Sequence, residues 1–546
     1  MFKMLSDFLK RYKFTLLIML CFAITIHMQR HINMISILNT LFLILYLHLF
    51  GRGRFRFIFL TLFSIILSCD VFFAFFFRGR ITYGTIASVF EATTADAKGV
   101  LPMLPWIILF FSITFLLVFL SANEFGKLRI RRKYAALMLA VYLIIGIPSY
   151  MFYKIRSYPD KRITFKDSPV LTLQFMFWDR FPFVYNSLFS TFAYCYEMHQ
   201  VQTYAQQERS LPDGLSLSPD NGLLRKIYFV CGESQWYRHL SIYGYHIRTT
   251  SFLDSLLHVS DNRMTVYHGA FAPGCLTRDA QRLLLSFATP QHASPFFTQK
   301  NILEMAKDAG YHSLYLTSQK VHSGLYDSYA AMISRSADFF HCSEEFNKLF
   351  LDDMLLLPVI KEQNRSDGKQ FYYINLTGSH APYSSMYDQT DRDYIPGNDV
   401  IADYDRTIHH TDRFMRELIK LIEKDSTSVF VYISDHAEDL EYISSHSENP
   451  GFGHGLLGRG SSQFEVPFLV INQSKTSVDP IINKYFIPGK NKINTLSITY
   501  ILAELMGYVI SDELLAYVHQ QSNYIFHVDG NWHEYEQIEA ENKSAK

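Results

Sequence analysis

The sequence predicts an α/β sandwich domain preceded by an α-helical membrane domain. Two observations predict this fold class. Long apolar runs are concentrated before about residue 155, in a chain of 546 residues that is 49% hydrophobic and 16% aromatic. Beyond residue 225, short apolar strands alternate with segments of helical spacing, which is typical of a largely parallel sheet covered by helices. We therefore expect two unlike halves.

Five apolar stretches in the first half predict five membrane-spanning helices. About 20 residues cross the hydrocarbon core of a bilayer, and aromatic or uncharged flanks extend the shorter stretches. The stretches are residues 14–28, 35–50, 57–77, 106–122 and 134–153. A cleaved signal peptide is the alternative for the first stretch, but no small-residue cleavage site follows Met28, which favours an uncleaved anchor.

Basic residues between these stretches predict the orientation of the chain. Short cytoplasmic loops carry the excess of lysine and arginine. Basic clusters precede the first stretch (residues 3–13), follow the second (52–56) and follow the fourth (127–133). With five spanning helices, everything after Tyr153 then lies on the outer side of the membrane.

Charge and cysteine content exclude some classes of protein. Lys+Arg and Asp+Glu balance at 51 each, so no nucleic-acid partner is expected. Six cysteines are too few for a disulfide scaffold in a chain of this length. Cys195, Cys231, Cys275 and Cys342 could pair if the second half is exported, and the sequence leaves this open.

Three segments are expected along the chain: a transmembrane domain over 1–153, an interfacial linker over 154–225 and a catalytic domain over 226–546. The linker mixes aromatic and polar runs, as a connector resting on a bilayer does. Strands are predicted over 227–230, 265–267, 314–316, 371–376, 429–433 and 467–471. Helices are predicted between them over 277–287, 302–309 and 403–422.

Polar residues follow three of the predicted strands directly. The motifs are Gly232-Glu233-Ser234, Thr377-Gly378-Ser379-His380 and Ser434-Asp435-His436-Ala437-Glu438. Reactive groups of such sheets collect beyond the carboxyl ends of the strands. Carboxylates and imidazoles are ligands of zinc, so a metal site forms here if Glu233, Asp435 and His436 converge.

Several motifs, in this order behind five apolar stretches, resemble the phosphoethanolamine transferases of the alkaline phosphatase and sulfatase superfamily. They are Gly232-Glu233-Ser234, Ser241-Ile242-Tyr243-Gly244-Tyr245, Ser434-Asp435-His436-Ala437-Glu438 and Gly453-His454-Gly455. The stretch over 275–288 is most similar to members that modify the heptose region of the lipopolysaccharide core. The resemblance implies a sulfatase/alkaline phosphatase-like sandwich, a multi-pass location in the bacterial inner membrane and a catalytic domain in the periplasm.

The resemblance also implies roles for four residues in a zinc site. Glu233, Asp435 and His436 match the family's zinc ligands, and Thr277 matches the threonine that is both zinc-bound and the attacking nucleophile. Coordination to a divalent cation lowers the pKa of an alcohol and so activates it. The alternative for Thr277 is that it only caps the helix predicted over 277–287.

Four further residues are matched to the substrate. His380 and His454 match histidines near the phosphate, which either hold a second zinc ion or protonate the leaving oxygen. Glu91 and Asp96 lie in a segment similar to one that contacts the donor head group, where carboxylates would receive the ethanolamine ammonium. A solvated loop is the alternative interpretation of that segment.

The reaction implied by the resemblance has two displacements. Thr277 attacks the phosphorus of phosphatidylethanolamine, diacylglycerol leaves, and the group passes to lipopolysaccharide or another envelope glycan, with core heptose the preferred acceptor. A phosphoglycerol transferase of the same superfamily and a catalytically silent envelope scaffold are the alternatives. A sulfatase would carry proline two residues and arginine four residues after Cys275, where this chain has Thr277 and Asp279.

Overall fold

A computed structural model describes residues 10–27, 34–50, 53–76, 81–91, 103–125, 131–157, 172, 176, 183–203, 208–218, 224–259, 263–319, 329–343, 352–364, 368–422, 425–445, 453–456 and 460–545. The chain divides into two compact units. The first comprises Met1–Val89 and Asp96–Glu197, and the second comprises Phe90–Ala95 and Met198–Lys546. The longer part of the second unit, from Met198 onward, therefore begins inside the stretch predicted as a linker, and the predicted three-segment division stays a prediction.

The first unit is built from α-helices. Its helices in chain order, the last of which continues into the second unit, are α1 (Lys13–His27), α2 (Met34–Phe50), α3 (Arg56–Phe76), α4 (Tyr83–Glu91), α5 (Leu104–Phe125), α6 (Arg132–Val141), α7 (Ile147–Ser157) and α8 (Phe183–Thr203). A π-helical turn, Tyr142–Gly146, connects α6 to α7 without a break. Helix α8 was not predicted, because its polar and apolar residues show almost no segregation to opposite faces.

Three helical segments of the described chain are long and apolar enough to cross a membrane. They are Arg56–Phe76, Leu104–Glu124 and Arg132–Ser157. Helices α1 and α2 occupy the other two predicted positions but have 15 and 17 residues, fewer than the roughly 20 that usually span a bilayer. A helix thus lies at each of the five predicted positions, and three of these reach spanning length.

A buried carboxylate anchors the start of α1. The backbone N–H and the hydroxyl of Thr15 both donate to Glu124 Oε2 at 2.8 Å, and the Phe14 N–H donates to Oε1 at 3.2 Å. The first N–H groups of a helix have no partner within it. Glu124, near the end of α5, therefore fixes α1 against α5 by satisfying them.

A seven-stranded sheet forms the centre of the second unit. The strands of this unit in chain order are β1 (Leu215–Leu217), β2 (Lys226–Gly232), β3 (Met264–Tyr267), β4 (Ala270–Phe271), β5 (Tyr311–Thr317), β6 (Phe339–Cys342), β7 (Lys369–Asn375), β8 (Ser428–Ser434), β9 (Phe468–Asn472), β10 (Ile493–Asn494), β11 (Tyr508–Ile510), β12 (Tyr524–Phe526) and β13 (Trp532–Glu534). The sheet order is β3-β9-β8-β2-β7-β5-β6. Strands β8, β2, β7, β5 and β6 are parallel, and β9 runs antiparallel to both neighbours.

Helices of the second unit connect and cover these strands. In chain order they are α9 (Ser251–Val259), α10 (Thr277–Leu284), α11 (Pro295–Thr298), α12 (Ile302–Asp308), α13 (Tyr329–Ser334), α14 (Leu356–Gln363), α15 (Gln389–Tyr394), α16 (Val400–Ile422), α17 (Leu440–Ser445), α18 (Asp479–Asn483), α19 (Ile498–Leu505), α20 (Asp512–Gln521) and α21 (Tyr535–Ala545). The three helices predicted in this half correspond to α10, α12 and α16, and all six predicted strands lie in the large sheet.

The central strands are largely apolar because both of their faces are covered. Every residue of β2 and of β8 is buried, as expected for the interior of a parallel sheet. The rings of Tyr228 and Tyr372 stack across β2 and β7 with centroids 4.5 Å apart. On that face, Phe414 and Leu418 of α16 join the same core. Because β2 is paired in parallel with β7 and β8, the carboxyl ends of these three strands lie at the same edge of the sheet, and the candidate site forms there.

Candidate metal centre

The carboxyl ends of two adjacent strands bring three predicted ligands together. Strands β2 and β8 are paired in parallel, with Gly232 opposite Ser434 at their last register position. Glu233 follows the first strand, and Asp435 and His436 follow the second. His436 Nε2 lies 3.1 Å from Glu233 Oε1 and 3.7 Å from Asp435 Oδ2. The convergence expected from the strand ends is therefore observed.

Thr277 completes this group from a third element. It is the first residue of α10, and Leu276, in extended conformation, is the N-cap residue, with no side-chain cap. The Thr277 Oγ1 atom lies 3.1 and 3.0 Å from the two carboxylate oxygens of Glu233 and 3.1 Å from His436 Nε2. The hydroxyl thus faces the ligand group instead of capping its own helix.

The charges in this group are fully buried and closely coupled. Glu233, Asp435 and His436 have no exposed surface. Burial opposes ionisation of Glu233, but His436 outweighs it and holds the pKa of that carboxyl well below its usual range. Burial, and then the Glu233 carboxylate, raise the pKa of Asp435 well above its usual value. Burial lowers the pKa of His436, yet Asp435 and Glu233 raise it to about 10. The site favours a positive charge between the carboxylates.

The donor set fits a divalent cation such as zinc. Ligand atoms of the two carboxylates and the imidazole lie within 4.8 Å of one another, the Thr277 hydroxyl lies 3.1 Å from Glu233 Oε1 and from His436 Nε2, and zinc takes such oxygen and nitrogen ligands. Asp435 Oδ2 is buried and accepts no hydrogen bond from the described residues, an arrangement that costs free energy unless a ligand satisfies the atom. Within the described ranges, no lysine or arginine side chain forms an ion pair with Glu233 or Asp435.

A second acidic cluster in the same unit differs from the candidate metal centre because an arginine pairs with its carboxylates. Asp388, Asp391 and His410 also lie close enough together to hold an ion. However, Arg413 Nη1 lies 2.8 Å from both Asp388 Oδ1 and Asp391 Oδ2. The guanidinium already supplies the positive charge there, so we assign no metal to this cluster.

His380 lies on a loop that packs against Glu233. The loop follows β7, and the Ser379 N–H donates to the Glu233 carbonyl at 3.0 Å. Gly378 has φ +50°, and a Cβ at this position would lie 2.9 Å from Glu233 N. His380 Nδ1 contacts the Ala381 carbonyl at 2.6 Å, and His380 contributes to the lowered pKa of Glu233, after His436. The loop therefore brings His380 to the edge of the site.

His454 lies next to His436. Their ring centroids are 4.4 Å apart. His454 Nδ1 lies 2.8 Å from Glu438 Oε1, and Glu438 is fully buried. The structure therefore brings both predicted phosphate-site histidines near the candidate metal centre. Of the two predicted donor-site residues, Glu91 ends α4, but its side chain and the whole of Asp96 lie outside the described residues.

Two contacts of the site were not predicted from the sequence. Glu438 was recognised only as part of a motif, and Gln319, whose Nε2 donates to Glu233 Oε2 at 2.9 Å, was not singled out at all. Gln319 follows β5, so the strand-end rule that selected Glu233 and His380 would also have selected it. Within the described residues, no disulfide is formed among Cys195, Cys231 and Cys275.

Comparisons with known proteins place the second unit in a family. The family model described as Sulfatase matches residues 225–508. Among curated relatives, phosphoethanolamine transferase EptC of Escherichia coli (strain K12) is 23% identical over 301 residues, which are 52% of this chain and 51% of that protein. The chain spans about half the length of the curated relatives it matches first.

Two solved structures share the fold. The C-terminal periplasmic domain of EptC from Escherichia coli in complex with Zn is 20% identical, with a TM-score of 0.50, covering 60% of this chain and 98% of that one. Lipooligosaccharide phosphoethanolamine transferase A (EptA) from Neisseria meningitidis is 18% identical, with a TM-score of 0.57, covering 84% and 86%. The resemblance predicted from the motifs is confirmed at the family level. Because the family model spans more than half of the chain, including every strand of the large sheet, this chain belongs to the sulfatase family.

Proposed function

We propose that this chain is a phosphoethanolamine transferase that takes the group from phosphatidylethanolamine and passes it to lipopolysaccharide core heptose. The observation that carries the proposal is the Thr277 hydroxyl, which lies within hydrogen-bond distance of both Glu233 and His436. Relatives named phosphoethanolamine transferase support the identity of the transferred group. The same arrangement argues against a silent scaffold, which would not need a nucleophile held against buried ligands.

Zinc would be held by Glu233, Asp435, His436 and Thr277. When bound there, it supplies a Lewis acid that lowers the pKa of the Thr277 hydroxyl and makes the oxygen a nucleophile at neutral pH. The donor types and the buried, unsatisfied Asp435 Oδ2 support this choice. A relative's periplasmic domain was crystallised in complex with Zn, which also supports it.

In the proposed reaction, this chain's residues promote two successive displacements at the phosphorus atom. The Thr277 proton is first released to solvent. Thr277 Oγ1 then forms a bond to phosphorus while the bond from phosphorus to the diacylglycerol oxygen breaks, and protonated His454 gives its proton to that oxygen. Next, an acceptor hydroxyl gives its proton to His454, its oxygen bonds to phosphorus, and the phosphorus–Thr277 bond breaks. His380 would bind the phosphoryl oxygens.

The membrane unit would deliver the lipid donor. We propose that α1 and α2 cross the inner membrane together with the three longer segments, so that the basic clusters face the cytoplasm and the catalytic unit lies in the periplasm. Glu91 and Asp96 would then receive the ethanolamine ammonium in the outer loop between the third and fourth spanning segments. Charge complementarity to a cationic head group supports this assignment.

Mass spectrometry of lipopolysaccharide tests the proposed function. Three strains are compared: one lacking the gene, one carrying the unmodified chain and one carrying Thr277→Ala. The expected result is one added phosphoethanolamine on core heptose with the unmodified chain alone. Growth with labelled ethanolamine or labelled glycerol identifies the donor. Label from glycerol but not ethanolamine in the added group, or modification that persists with Thr277→Ala, would overturn the proposal.

A further inference from the structure

We propose that Gln319 is a positioning residue for the ligand Glu233, and that Gln281 sets the orientation of the Gln319 amide. This inference rests on the metal site of the proposed function. It goes beyond that function because it gives a positioning role to two neutral side chains. Neither side chain touches the reacting atoms or coordinates zinc. Both lie in the described part of the chain, one after β5 and one on α10.

The Gln319 amide can adopt only one orientation. Its Nε2 donates to Glu233 Oε2 at 2.9 Å and to the Leu376 carbonyl at 2.7 Å. Both partners are acceptors without a hydrogen to donate. Turning the amide over would place Gln319 Oε1 against two oxygens, one of them charged. The contact with Glu233 is therefore specific for a donor at this position.

Gln281 reinforces this orientation from the nucleophile's own helix. Its Nε2 lies 3.4 Å from Gln319 Oε1 and 3.1 Å from Asn375 Oδ1. Gln281 and Asn375 are both buried, with 3% and 0% of their surface exposed. Gln281 lies one helical turn after Thr277. A chain of amides thus connects the helix that presents the nucleophile to the carboxylate that faces it.

A neutral donor suits the carboxylate of a metal ligand. Ser234 Oγ donates to Glu233 Oε1 at 2.7 Å, and Gln319 donates to Oε2, so each oxygen has one hydrogen-bond partner outside the proposed metal ligands. These two bonds define the rotation of the carboxylate plane. An arginine or lysine at position 319 would also orient the Glu233 carboxylate, but its positive charge would compete with the metal for the negative charge of Glu233. The amide orients Glu233 and leaves its charge for the cation, as supporting partners of metal ligands do.

Zinc affinity tests the inference without relying on turnover. The full chain is purified in detergent and stripped of zinc, and the zinc dissociation constant is measured by competition with a chelator. Gln319→Met keeps the length and flexibility of the side chain but removes the donor, so we expect zinc to bind roughly 10- to 100-fold more weakly. Gln281→Met should weaken binding by less, about 2- to 10-fold, because it acts only through Gln319.

The double variant and a control separate positioning from general damage. If Gln281 acts through Gln319, the variant carrying both substitutions binds zinc no more weakly than Gln319→Met alone. Gln370→Met is the matched control, because the Gln370 amide donates to the Gln363 carbonyl at 2.7 Å at the far end of β7, and its zinc affinity should stay within about twofold of the unmodified chain. Gln319→Leu is the second variant if Gln319→Met does not fold.

The possible results are distinct. A folded Gln319 variant that binds zinc within twofold of the unmodified chain overturns the inference, and so do additive effects in the double variant. An unmodified chain that binds no zinc overturns both the inference and the proposed metal site. A tenfold loss of zinc affinity in the Gln319 variant, with no phosphoethanolamine transfer by the unmodified chain, would support the inference and overturn the proposed activity.

Discussion

His454 Nδ1 lies 2.8 Å from Oε1 of Glu438, a carboxylate with no exposed surface. Gly453 makes room for this pair, because a Cβ at that position would collide with Glu438 Oε2. A carboxylate behind one ring nitrogen fixes the orientation and tautomer of an imidazole, leaving the other nitrogen for the substrate. Glu438 and His454 therefore act as a pair, although the sequence motifs indicated a role for His454 only.

Replacing Glu438 by glutamine should lower the rate of transfer. The amide oxygen can still accept a hydrogen bond from His454 Nδ1, but the stronger, charge-assisted bond to the carboxylate that holds the ring in place is lost. We expect kcat to fall by about 10²-fold, the lower end of what general acid–base catalysis contributes. Transfer from labelled phosphatidylethanolamine measures the change. A kcat within about threefold of the unmodified chain would argue that the charge of Glu438 does not support proton transfer by His454, since even weak acid–base catalysis exceeds this factor.

Zinc should stabilise the catalytic unit. A ligand that binds only the folded state, at a free concentration 1,000 times its dissociation constant, adds about 4 kcal/mol to the free energy of unfolding. We expect the melting temperature of chelator-stripped protein to rise when zinc is restored. Asp435→Asn should abolish most of the rise, because it removes one of two ligand carboxylates. An equal rise in this variant would place the stabilising zinc elsewhere.

Stability should fall at alkaline pH through His410. Burial alone would lower the pKa of this imidazole, but its contacts with Asp352 and Asp391, at 3.0 and 2.7 Å, raise it from 6.5 to about 10. A group whose pKa is raised on folding contributes its full stabilisation below its unfolded value and loses it as the pH rises through the folded value. The contribution of His410 is therefore complete below pH 6.5 and lost near pH 10.

Melting curves of zinc-free protein between pH 7 and 10.5 measure this effect. We expect the free energy of unfolding of the unmodified chain to fall by roughly 2–4 kcal/mol over this range, at about 1.4 kcal/mol per unit of pKa difference. His410→Gln removes the titrating group, so its stability should be lower at pH 7 and change less with pH. Parallel curves for the two proteins would contradict the assignment.

The strand-end pattern predicted which three residues converge, but the apolar pattern did not predict every strand of the large sheet. Glu233, Asp435 and His436 each follow an apolar strand that is buried on both faces, so the strand signal is strong and the edge of the sheet is fixed. Strand β6 was missed because it has four half-buried residues at the edge of the sheet. Such a strand carries little of the apolar pattern that a sequence shows.

The strand-end rule selects residues that lie near the site, but it does not predict which of their side chains form hydrogen bonds with one another. The bond from Gln319 to Glu233 joins residues 86 positions apart, and the position of His454 depends on the packing of Gly453 against Glu438. Neither contact has a local periodicity to reveal it. The π-helical turn between α6 and α7 is likewise invisible in the pattern, because one inserted residue does not interrupt an apolar run of this length.

Glu233 should keep its position in the metal site only if residue 378 is glycine. Its φ of +50° favours glycine, and a Cβ would lie 2.9 Å from Glu233 N and 3.1 Å from Glu233 O, with backbone atoms that cannot move aside. Gly378→Ala therefore combines the cost of a left-handed backbone, about 1–2 kcal/mol, with displacement of Glu233 or of the His380 loop. We expect lower stability and a zinc affinity reduced by about tenfold or more, as when a ligand loses its support.

Gly489→Ala is the matched control for this substitution. Gly489 has φ +74°, but no atom lies within 4 Å of the position a Cβ would take. The control thus carries the backbone cost without the collision, and its zinc affinity should equal that of the unmodified chain while its melting temperature falls. If Gly378→Ala and Gly489→Ala lose stability equally and both keep full zinc affinity, the loop after β7 does not hold Glu233 in place. The link between the His380 loop and the metal centre would then have to be abandoned.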